Sequence, residues 1–411
     1  MKTSIIALAV LFAAPQAFAG WKTEFGAEDR VRAERKSDFD FNGALSDDGW
    51  LFFQRLRVNA RATKGNYELF AEAMDLRVGS ADLPKTAQED DLDLHQAYLS
   101  AGNLFGAPLT LKAGRQELKY GKGRLVWAAV WANRINHFDA AVLKYKAGPL
   151  SADAFYGARV GWDEDGWNAP DRRDYLAGVY ATWQKEKTGP LVDAYFLSNY
   201  SGASRSALSR HTAGLRAALE LPGDVEFDAE LPYQFGKSAG KSVYAYAFHL
   251  ELARELDMKW SPRVAAAYNY ASGDEDKNDS AVKTFVPLYQ STHDSYGLMD
   301  LFRWQNMEEA AFEVSLKPAE KLKVTAGTNF FWLADTKDYW YNSSGGKVRS
   351  GIPAAAGSYV GQEVSLAGKY DLGGGLSAEG AYARFYSGGY VDDTGSADDA
   401  DWLYLQLCFK L

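Results

Sequence analysis

The sequence predicts an all-β fold, a transmembrane antiparallel β-barrel of about 18 strands with short periplasmic turns and long extracellular loops. Three observations support this prediction. Apolar and polar residues alternate along many segments, and short and long connections follow one another in turn. A high content of aromatic residues and glycine accompanies a negative mean hydropathy. A wall with one side facing lipid and one side facing a wet lumen produces this combination.

The N-terminal segment has the features of a secretory signal peptide. A positive start at Lys2 and an apolar run over 5–14 precede a small-residue cleavage site at Ala17–Ala19. Beyond this segment, no apolar run approaches the roughly 18 to 20 residues that a membrane-spanning helix needs. We therefore predict two regions, a signal peptide at 1–19 and one barrel domain at 20–411.

Charge and cysteine content restrict the partners and the source of stability. The chain has 45 basic and 54 acidic residues, a formal net charge of −9, which argues against nucleic acid as a partner. Cys408 is the only cysteine, so no intramolecular disulfide can form in the oxidising periplasm. Stability must then come from the hydrogen-bonded strands themselves.

The end of the chain gives the clearest strand. One face of 401–411 is apolar, with Leu403, Leu405, Leu407, Phe409 and Leu411 at alternate positions. The residues between them, Tyr404, Gln406, Cys408 and Lys410, form the other face. Alternation that persists to the last residue is what a lipid-facing strand closing a barrel requires.

The same alternation, bounded by turn residues, predicts eighteen strands. They span 22–36, 50–63, 67–78, 91–101, 109–120, 137–147, 150–160, 174–184, 190–200, 210–221, 224–236, 241–254, 262–272, 309–318, 321–334, 359–371, 375–387 and 400–411. An even number places both ends of the mature chain on the periplasmic side, as in other bacterial single-chain barrels.

The connections between these strands alternate in length. Short turns such as 64–66, 148–149 and 222–223 lie opposite longer loops that are richer in acidic residues, Gly and Ser. The longest of these loops are 121–136, 273–308 and 335–358. This asymmetry is typical of outer-membrane barrels, and a soluble β-sandwich gives no reason for it.

The alternation also assigns faces to several strands. In the second strand Phe52 and Leu56 are expected to face lipid, while the lumen side receives Arg55, Arg57, Asn59 and Arg61. In the eleventh strand the lumen side receives Glu226, Asp228 and Glu230. We therefore predict a zoned lumen, with arginines on early strands and carboxylates on the far wall, in which an anion could pass along the basic side.

The fifth predicted strand, 109–120, does not alternate cleanly. The parity that turns Leu111 outward also turns Arg115 and Glu117 outward. Two explanations stay open: a bulge near Gly114 reverses the face, or this end of the strand rises above the hydrocarbon layer.

Three stretches carry a family resemblance. The first runs from Gly114-Arg115-Gln116 through Gly121-Lys122-Gly123-Arg124 to Trp131-Ala132-Asn133-Arg134 and Phe138-Asp139-Ala140. The second runs from Tyr268-Asn269-Tyr270 through Pro287-Leu288-Tyr289 to Trp304-Gln305-Asn306, and the third is Phe331-Trp332-Leu333-Ala334. Together they resemble the alginate export family of outer-membrane β-barrel porins.

The resemblance implies a pore lined by arginines and narrowed by inward-folded loops, through which a polyuronate passes. Guanidinium groups bind carboxylates in pairs yet stay solvated in a wet pore, so that each contact can release its ligand. The resemblance supplies Arg115, Arg124, Arg134 and Arg303 as candidate substrate-binding residues. Strand parity adds Arg55, Arg57 and Arg61, and Trp131 is a candidate for stacking on sugar rings.

Several alternatives stay open at this stage. The arginines could brace the wall through pairs with carboxylates, and many aromatic residues could belong to the girdles at the membrane surfaces. A general or small-solute porin on the same scaffold is the alternative function, and an adhesin or receptor built on loop 273–308 is a third possibility.

Other functions find little support. The acidic run 273–279 lacks the glycine and glutamate of a calcium loop, so no metal site is expected there. The five histidines are scattered and no Gly-x-Ser-x-Gly motif is present, so we do not expect an enzyme.

The sequence thus predicts a cofactor-free channel in the outer membrane of a Gram-negative bacterium. It would pass an anionic polysaccharide such as alginate, an anionic oligosaccharide, or small anionic solutes. The expected partners are outer-membrane lipid and lipopolysaccharide, and periplasmic secretion proteins if export requires them. Because no long apolar patch stands out, we expect a monomer.

Overall fold

A computed structural model describes residues 20–45, 48–80, 88–164, 166–202, 208–293, 295–349 and 356–411. The predicted signal peptide at 1–19 lies outside these residues and stays a prediction. In the described part of the chain, no helix is long and apolar enough to cross a membrane.

Eighteen long strands form one closed antiparallel barrel. In chain order they are β1 (Lys22–Ser37), β2 (Gly49–Lys64), β3 (Tyr67–Ser80), β4 (Asp90–Ala101), β5 (Leu109–Gln116), β6 (Phe138–Ala147), β7 (Leu150–Val160), β8 (Pro170–Gln184), β9 (Leu191–Ser201), β10 (Leu208–Leu221), β11 (Val225–Ser238), β12 (Lys241–Glu255), β13 (Arg263–Ala271), β15 (Met307–Ala319), β16 (Leu322–Trp332), β17 (Tyr359–Gly373), β18 (Leu376–Ser387) and β19 (Ala400–Lys410). Each pairs with its neighbours in sequence, and β1 pairs with β19 to close the barrel.

Three short elements lie outside the wall. The two-residue strand β14 (Ala281–Val282) belongs to a loop and runs parallel to β12. A 3₁₀ turn at Leu104–Gly106 and a single helix, α1 (Gly389–Thr394), complete the secondary structure of the described residues.

The predicted strand number, strand order and fold class are confirmed. Most boundaries agree within two residues, because alternation and turn residues are both local features of the sequence. The largest differences are in β8, which begins at Pro170 rather than at 174, and in β5, which ends at Gln116 rather than at 120. The chain leaves the wall at this point and turns into the lumen.

The faces predicted for the second strand also agree with the structure. Phe52 and Leu56 lie on the outer surface, whereas Arg55 points inward and is only 4% exposed. One outer surface for lipid and one inner surface for polar side chains follow directly from the period of two residues.

The pairing of β5 excludes the first of the two explanations, a bulge near Gly114 that reverses the face. Arg115 lies opposite Ala97 and Asp139 in an unbroken register, so it keeps the outward face of Leu111. Glu117 follows the end of the strand, and its carboxylate lies inside the barrel beside Arg57. No reversal of the face is therefore needed between Leu111 and Arg115.

A hydrophobic core lies inside the barrel, on the side of the long loops. Its members come from the long loops and from inward positions of the strands, including Phe41, Phe285, Tyr296, Phe302, Trp304, Phe331, Trp340 and Phe385. The rings of Phe302 and Phe331 stack 3.8 Å apart between centroids with an interplanar angle of 5°. The loops thus pack against one another inside the barrel, held by burial of apolar surface, and we call these inward loops the plug.

Gly114 is a position in β5 that does not tolerate a side chain. Its φ is +128°, and an added Cβ would lie 2.2 Å from the carbonyl oxygen of Ala97. Since both the backbone conformation and the space exclude a side chain, we expect Gly114→Ala to lower the free energy of unfolding by at least about 2 kcal/mol.

Urea unfolding of the barrel in detergent micelles, followed by tryptophan fluorescence, would measure this loss. Gly368→Ala is the matched control, because a Cβ there meets no atom within 4 Å. We expect the control to change stability by less than about 0.5 kcal/mol. Equal effects of the two substitutions would contradict the prediction.

Candidate functional site: the loops inside the barrel

The connection between β5 and β6, residues 117–137, forms one side of the plug. Its apolar side chains Leu118, Leu125 and Ile135 are buried. The left-handed glycines Gly121 and Gly123, with φ of +59° and +80°, allow the tight turn that reverses the chain. The Gly-rich motif of the first resemblance segment therefore acts by shaping this inward loop.

The connection between β13 and β15 forms the other side and is hydrogen-bonded to the first. The Trp127 amide donates to the Tyr289 carbonyl at 2.7 Å, and the Tyr289 amide donates to the Leu125 carbonyl at 2.7 Å. The Ser291 amide donates to the Gly123 carbonyl at 2.9 Å. Residues more than 160 positions apart in the sequence are thus bonded to each other, and the two loops are joined as one unit inside the barrel.

Three arginines of the wall hold the first loop in place, and we call them the arginine clamp: Arg30, Arg32 and Arg55. Arg55 donates to the carbonyls of Val130 at 2.7 Å and Ala132 at 2.9 Å. Arg30 donates to the carbonyls of Val130 and Trp131 at 3.0 and 2.9 Å, and Arg32 donates to the latter at 2.8 Å. Charged donors make these bonds strong.

Arg30 also donates to the Asn133 side-chain oxygen at 2.9 Å. The clamp arginines are nearly fully buried, with Arg55 additionally paired to Glu28 at 3.0 Å. Arg55 was predicted to bind substrate, and in the structure its guanidinium contacts the loop and Glu28.

Trp131 is held in a stack of flat groups. Its ring lies 3.6 Å from the His293 ring at an interplanar angle of 4°, and the Arg32 guanidinium carbon lies 3.7 Å from the ring centre. Tyr404 of β19 packs against it edge-on at 4.9 Å. This arrangement fixes Trp131 at the surface of a cavity below the plug.

Arg57 belongs to a separate cluster beside the clamp. It donates to Glu72 at 2.9 Å and to Glu117 at 3.2 Å, and His95 lies 2.9 Å from Glu117. Burial would raise the pKa of Glu117, but the His95 hydrogen bond and the charges of Arg57 and Lys119 outweigh it, so the pKa lies below its usual range.

Glu72, His95 and Glu117 are close enough together to share a metal ion. Among the described residues they are the one such group of three. However, the Arg57 guanidinium already contacts the same carboxylate oxygens, and it supplies the positive charge that a cation would bring. The cluster is therefore explained as an ion-pair network.

Arg124 connects the loop to the acidic wall. It donates to Asp228 at 3.2 Å and to Glu230 at 3.0 Å, and it contacts His249. On the same wall Arg216 pairs with Asp228 and Asp193. The far wall does carry carboxylates, as expected, but loop and wall arginines neutralise much of their charge.

The other predicted binding residues are dispersed. Arg61 is half exposed near the periplasmic end of β2, 3.9 Å from Glu68. Arg115 pairs with Asp139 on the outer surface at 2.8 Å, and Arg134 donates to Glu164 at 2.9 Å. The structure thus gathers Arg124 and Trp131 at one cavity and places Arg61, Arg115 and Arg134 elsewhere.

Arg303 lies in the second loop, where it donates to the Pro287 carbonyl at 2.8 Å. Burial and the nearby charge of Arg210 lower its pKa to about 10. Both arginines remain cationic at neutral pH, so this part of the plug carries positive charge.

A cavity of about 470 Å³ lies directly below the plug. Its roof is formed by Arg124, Trp131, His293, Ser295 and Leu298 of the two loops. Its wall is formed by inward residues of β12 to β19, among them Glu251, Arg263, Asn269, Glu313, Lys323, Asn329, Lys369, Glu379 and Tyr404. A cavity of this size accommodates a small sugar or a comparable solute.

Two lysines of this cavity escaped the sequence analysis. Lys323 of β16 and Lys369 of β17 lie directly opposite each other in the register, and both line the cavity. Glu379 of β18 is next in the same row, 3.5 Å from Lys369. The alternation along each strand indicates that both side chains point inward. Their direct pairing depends on how β16 and β17 align with each other, and the long loop 335–358 between these strands leaves that register open in the sequence.

Taken together, the closed eighteen-strand wall, the inward loops and the polar cavity define the class of the protein. It is an outer-membrane channel of a Gram-negative bacterium, built on a porin barrel. The chain belongs to the alginate export family, whose model, described as "Alginate export", matches residues 21–403. The family resemblance found in the sequence is thereby confirmed.

Solved structures with the same fold include three porin-like proteins of Pseudomonas aeruginosa. OccK5 (OpdH) is 13% identical with a TM-score of 0.63, covering 95% of this chain and 98% of that one. OpdQ is 14% identical with a TM-score of 0.62, covering 95% and 99%. OccK3 (OpdO) is 15% identical with a TM-score of 0.60, covering 94% and 96%. At such low identity these similarities concern the fold alone.

A comparison with curated protein sequences found no match. Family and fold are those of a channel rather than of an enzyme. The choice of solute therefore has to be argued from the lumen itself.

Proposed function

We propose that the channel passes anionic saccharides, with uronate units as the preferred solute and alginate or its oligosaccharides as the natural example. The cavity below the plug is the place where such a unit would bind. The membership of the chain in the alginate export family supports this choice of solute.

The observation that carries the proposal is the lysine pair Lys323 and Lys369. Like charges placed directly opposite each other on adjacent strands repel, and such pairs are normally avoided. Glu379 lies 3.5 Å from Lys369, whereas in the described part of the chain no carboxylate forms an ion pair with Lys323. A uronate carboxylate entering the cavity would supply a negative charge between the two ammonium groups.

Planar bilayer recordings of single channels would test the proposal. We expect anion selectivity and a current that oligomannuronate or oligoguluronate blocks. Lys323→Gln with Lys369→Gln should weaken the block about tenfold, corresponding to about 1.4 kcal/mol. The matched control is Lys317→Gln, since Lys317 is already paired with Glu255 at 2.9 Å near the periplasmic end of β15.

A channel that is unselective and indifferent to uronates would contradict the proposal. The second candidate, a small-solute porin, would then stand. One specific observation favours it: several arginines predicted to bind a polymer, including Arg57 and Arg124, are already paired with carboxylates. Such a channel would pass sugars and other small polar solutes without a preference for charge.

A further inference from the structure

Two arginines lie close together at the boundary between the plug and the wall. Arg210 points inward from β10 and is only 6% exposed, whereas Arg303 belongs to the plug loop between β13 and β15. Besides burial, the charge of Arg210 lowers the pKa of Arg303, so the two guanidinium groups act on each other. Neither side chain lines the cavity below the plug, and the pair is therefore separate from the site proposed for the solute.

Hydrogen bonds to the wall place the plug segment 286–289 beside Arg210. The backbone of its first residue exchanges two hydrogen bonds with the Gln234 side-chain amide of β11, at 2.8 and 3.1 Å. At its other end, the Tyr289 hydroxyl accepts a hydrogen bond from Asn199 of β9 at 3.0 Å. Arg210 lies on β10, the strand between these two, directly opposite Asn199. The segment therefore crosses the wall at Arg210.

Arg303 reaches the same segment from the plug side. Its guanidinium donates to the Pro287 carbonyl at 2.8 Å. Gly345 of the next loop packs so closely against this guanidinium that an added Cβ would collide with Nη1 of Arg303. The Arg303 side chain is thus held in place at the segment that passes Arg210.

Neither guanidinium has a carboxylate partner. Among the described residues, Arg210 forms no hydrogen bond and no ion pair, and Arg303 forms only the bond to the Pro287 carbonyl. The Nε atoms of both arginines are buried without an acceptor. Asp174 on β8 binds the Tyr289 hydroxyl, but its other oxygen is held by Arg159 at 2.9 Å.

An arrangement of this kind is unfavourable without an anion. Removing a guanidinium from water costs free energy unless a partner compensates the charge. The two like charges also lie on different elements, one on the wall and one on the plug, so their repulsion opposes the docking of the loop. A bound anion would reverse the sign of this interaction.

We propose that a small inorganic oxyanion, of the size and charge of phosphate, binds between Arg210 and Arg303 and fastens the plug to the wall. The free N–H groups of both side chains donate to its oxygens, and planar guanidinium groups match such oxyanions in geometry. Because Arg210 is almost fully buried and Gly345 packs against Arg303, the site suits a small ion rather than a sugar unit.

Equilibrium dialysis with labelled inorganic phosphate tests the site on the purified barrel in detergent. We expect one phosphate ion to bind per barrel and Arg210→Gln to weaken the binding at least about tenfold. The matched control is Arg173→Gln, which removes the same charge from a side chain that is 71% exposed at the extracellular end of β8. This control should bind phosphate as the parent does. Heat-modifiable migration on gels verifies that each barrel is folded.

A further variant separates this site from the cavity. Lys323→Gln with Lys369→Gln should still bind phosphate, because neither arginine lines the cavity. If the folded parent binds no phosphate, if Arg210→Gln binds it equally well, or if the lysine variant loses it, the proposal is wrong. Binding of mannuronate but not of phosphate would assign the two arginines to the solute path and would also contradict the proposal.

Proteolysis of the plug loops from outside the cell gives a second readout. In the parent, phosphate at about ten times its dissociation constant should slow cleavage about tenfold. Phosphate should have no effect on Arg210→Gln, and without phosphate this variant should be cleaved more slowly than the parent, because the repulsion is removed. Faster cleavage of Arg210→Gln at every phosphate concentration would show that Arg210 supports the plug directly, and the proposal would fail.

Discussion

Removal of two clamp arginines, Arg30→Met with Arg55→Met, is expected to open the channel. The two side chains donate to the carbonyls of Val130, Trp131 and Ala132. A buried hydrogen bond from a charged group contributes about 1.5–3 kcal/mol. Loss of only about 3 kcal/mol would raise the population with this loop displaced on the order of 100-fold.

The displaced loop would remove Trp131 from the roof of the cavity. In single-channel recordings we therefore expect frequent transitions to a larger conductance that are rare in the unmodified channel. Arg61→Met is the matched control, because Arg61 lies on the same strand and inner face as Arg55 but forms only one long ion pair, at 3.9 Å. Unchanged conductance in a folded double variant would mean that segment 130–133 is not the barrier.

The barrel itself was largely predictable from the sequence. A lipid-facing wall imposes a period of two residues, and the turns between strands need Gly, Pro or polar residues, so both features are local. The terminal strand β19 shows this most clearly, with leucines at every outward position from 403 to 407. Even at β5, the observed end of the strand at Gln116 differs from the predicted end at 120 by only four residues.

The interior of the barrel was less predictable, for a physical reason. The arginine clamp binds backbone carbonyls 75 to 101 residues away, and a carbonyl carries no side-chain signature. The arginines of β1 and β2 could be counted from the sequence, but their partners could not. In the structure Arg55 forms bracing contacts of the kind weighed as an alternative, and its role in solute binding stays a prediction.

Positions that depend on register were missed for the same reason. Lys323 and Lys369 lie on strands separated by a long loop, so the alternation along each strand could not place them side by side. For Arg115 the sequence was sufficient, because the alternation along β5 already placed this side chain on the outer surface. The family motif had nevertheless suggested it for the substrate path, and the structure pairs it with Asp139 instead.

Truncation of Trp340 should loosen the plug while leaving the wall intact. Trp340 is fully buried, its ring lies 5.3 Å from Phe41 and 5.1 Å from Phe302, and its Nε1 donates to the Leu301 carbonyl at 2.9 Å. Replacing a buried tryptophan by alanine typically costs about 3–5 kcal/mol. All three of these contacts lie between the plug loops, so the cost falls on loop packing rather than on the strand ladder.

We therefore expect Trp340→Ala to make the loops far more sensitive to a protease added from outside the cell, at an unchanged amount of folded barrel. Trp167→Ala is the control, since that ring is 48% exposed in another extracellular loop. If both variants resist proteolysis as the parent does, the aromatic core does not hold the plug. If Trp340→Ala abolishes barrel assembly, loop and wall fold as one unit, because the plug would then be needed to close the strand ladder.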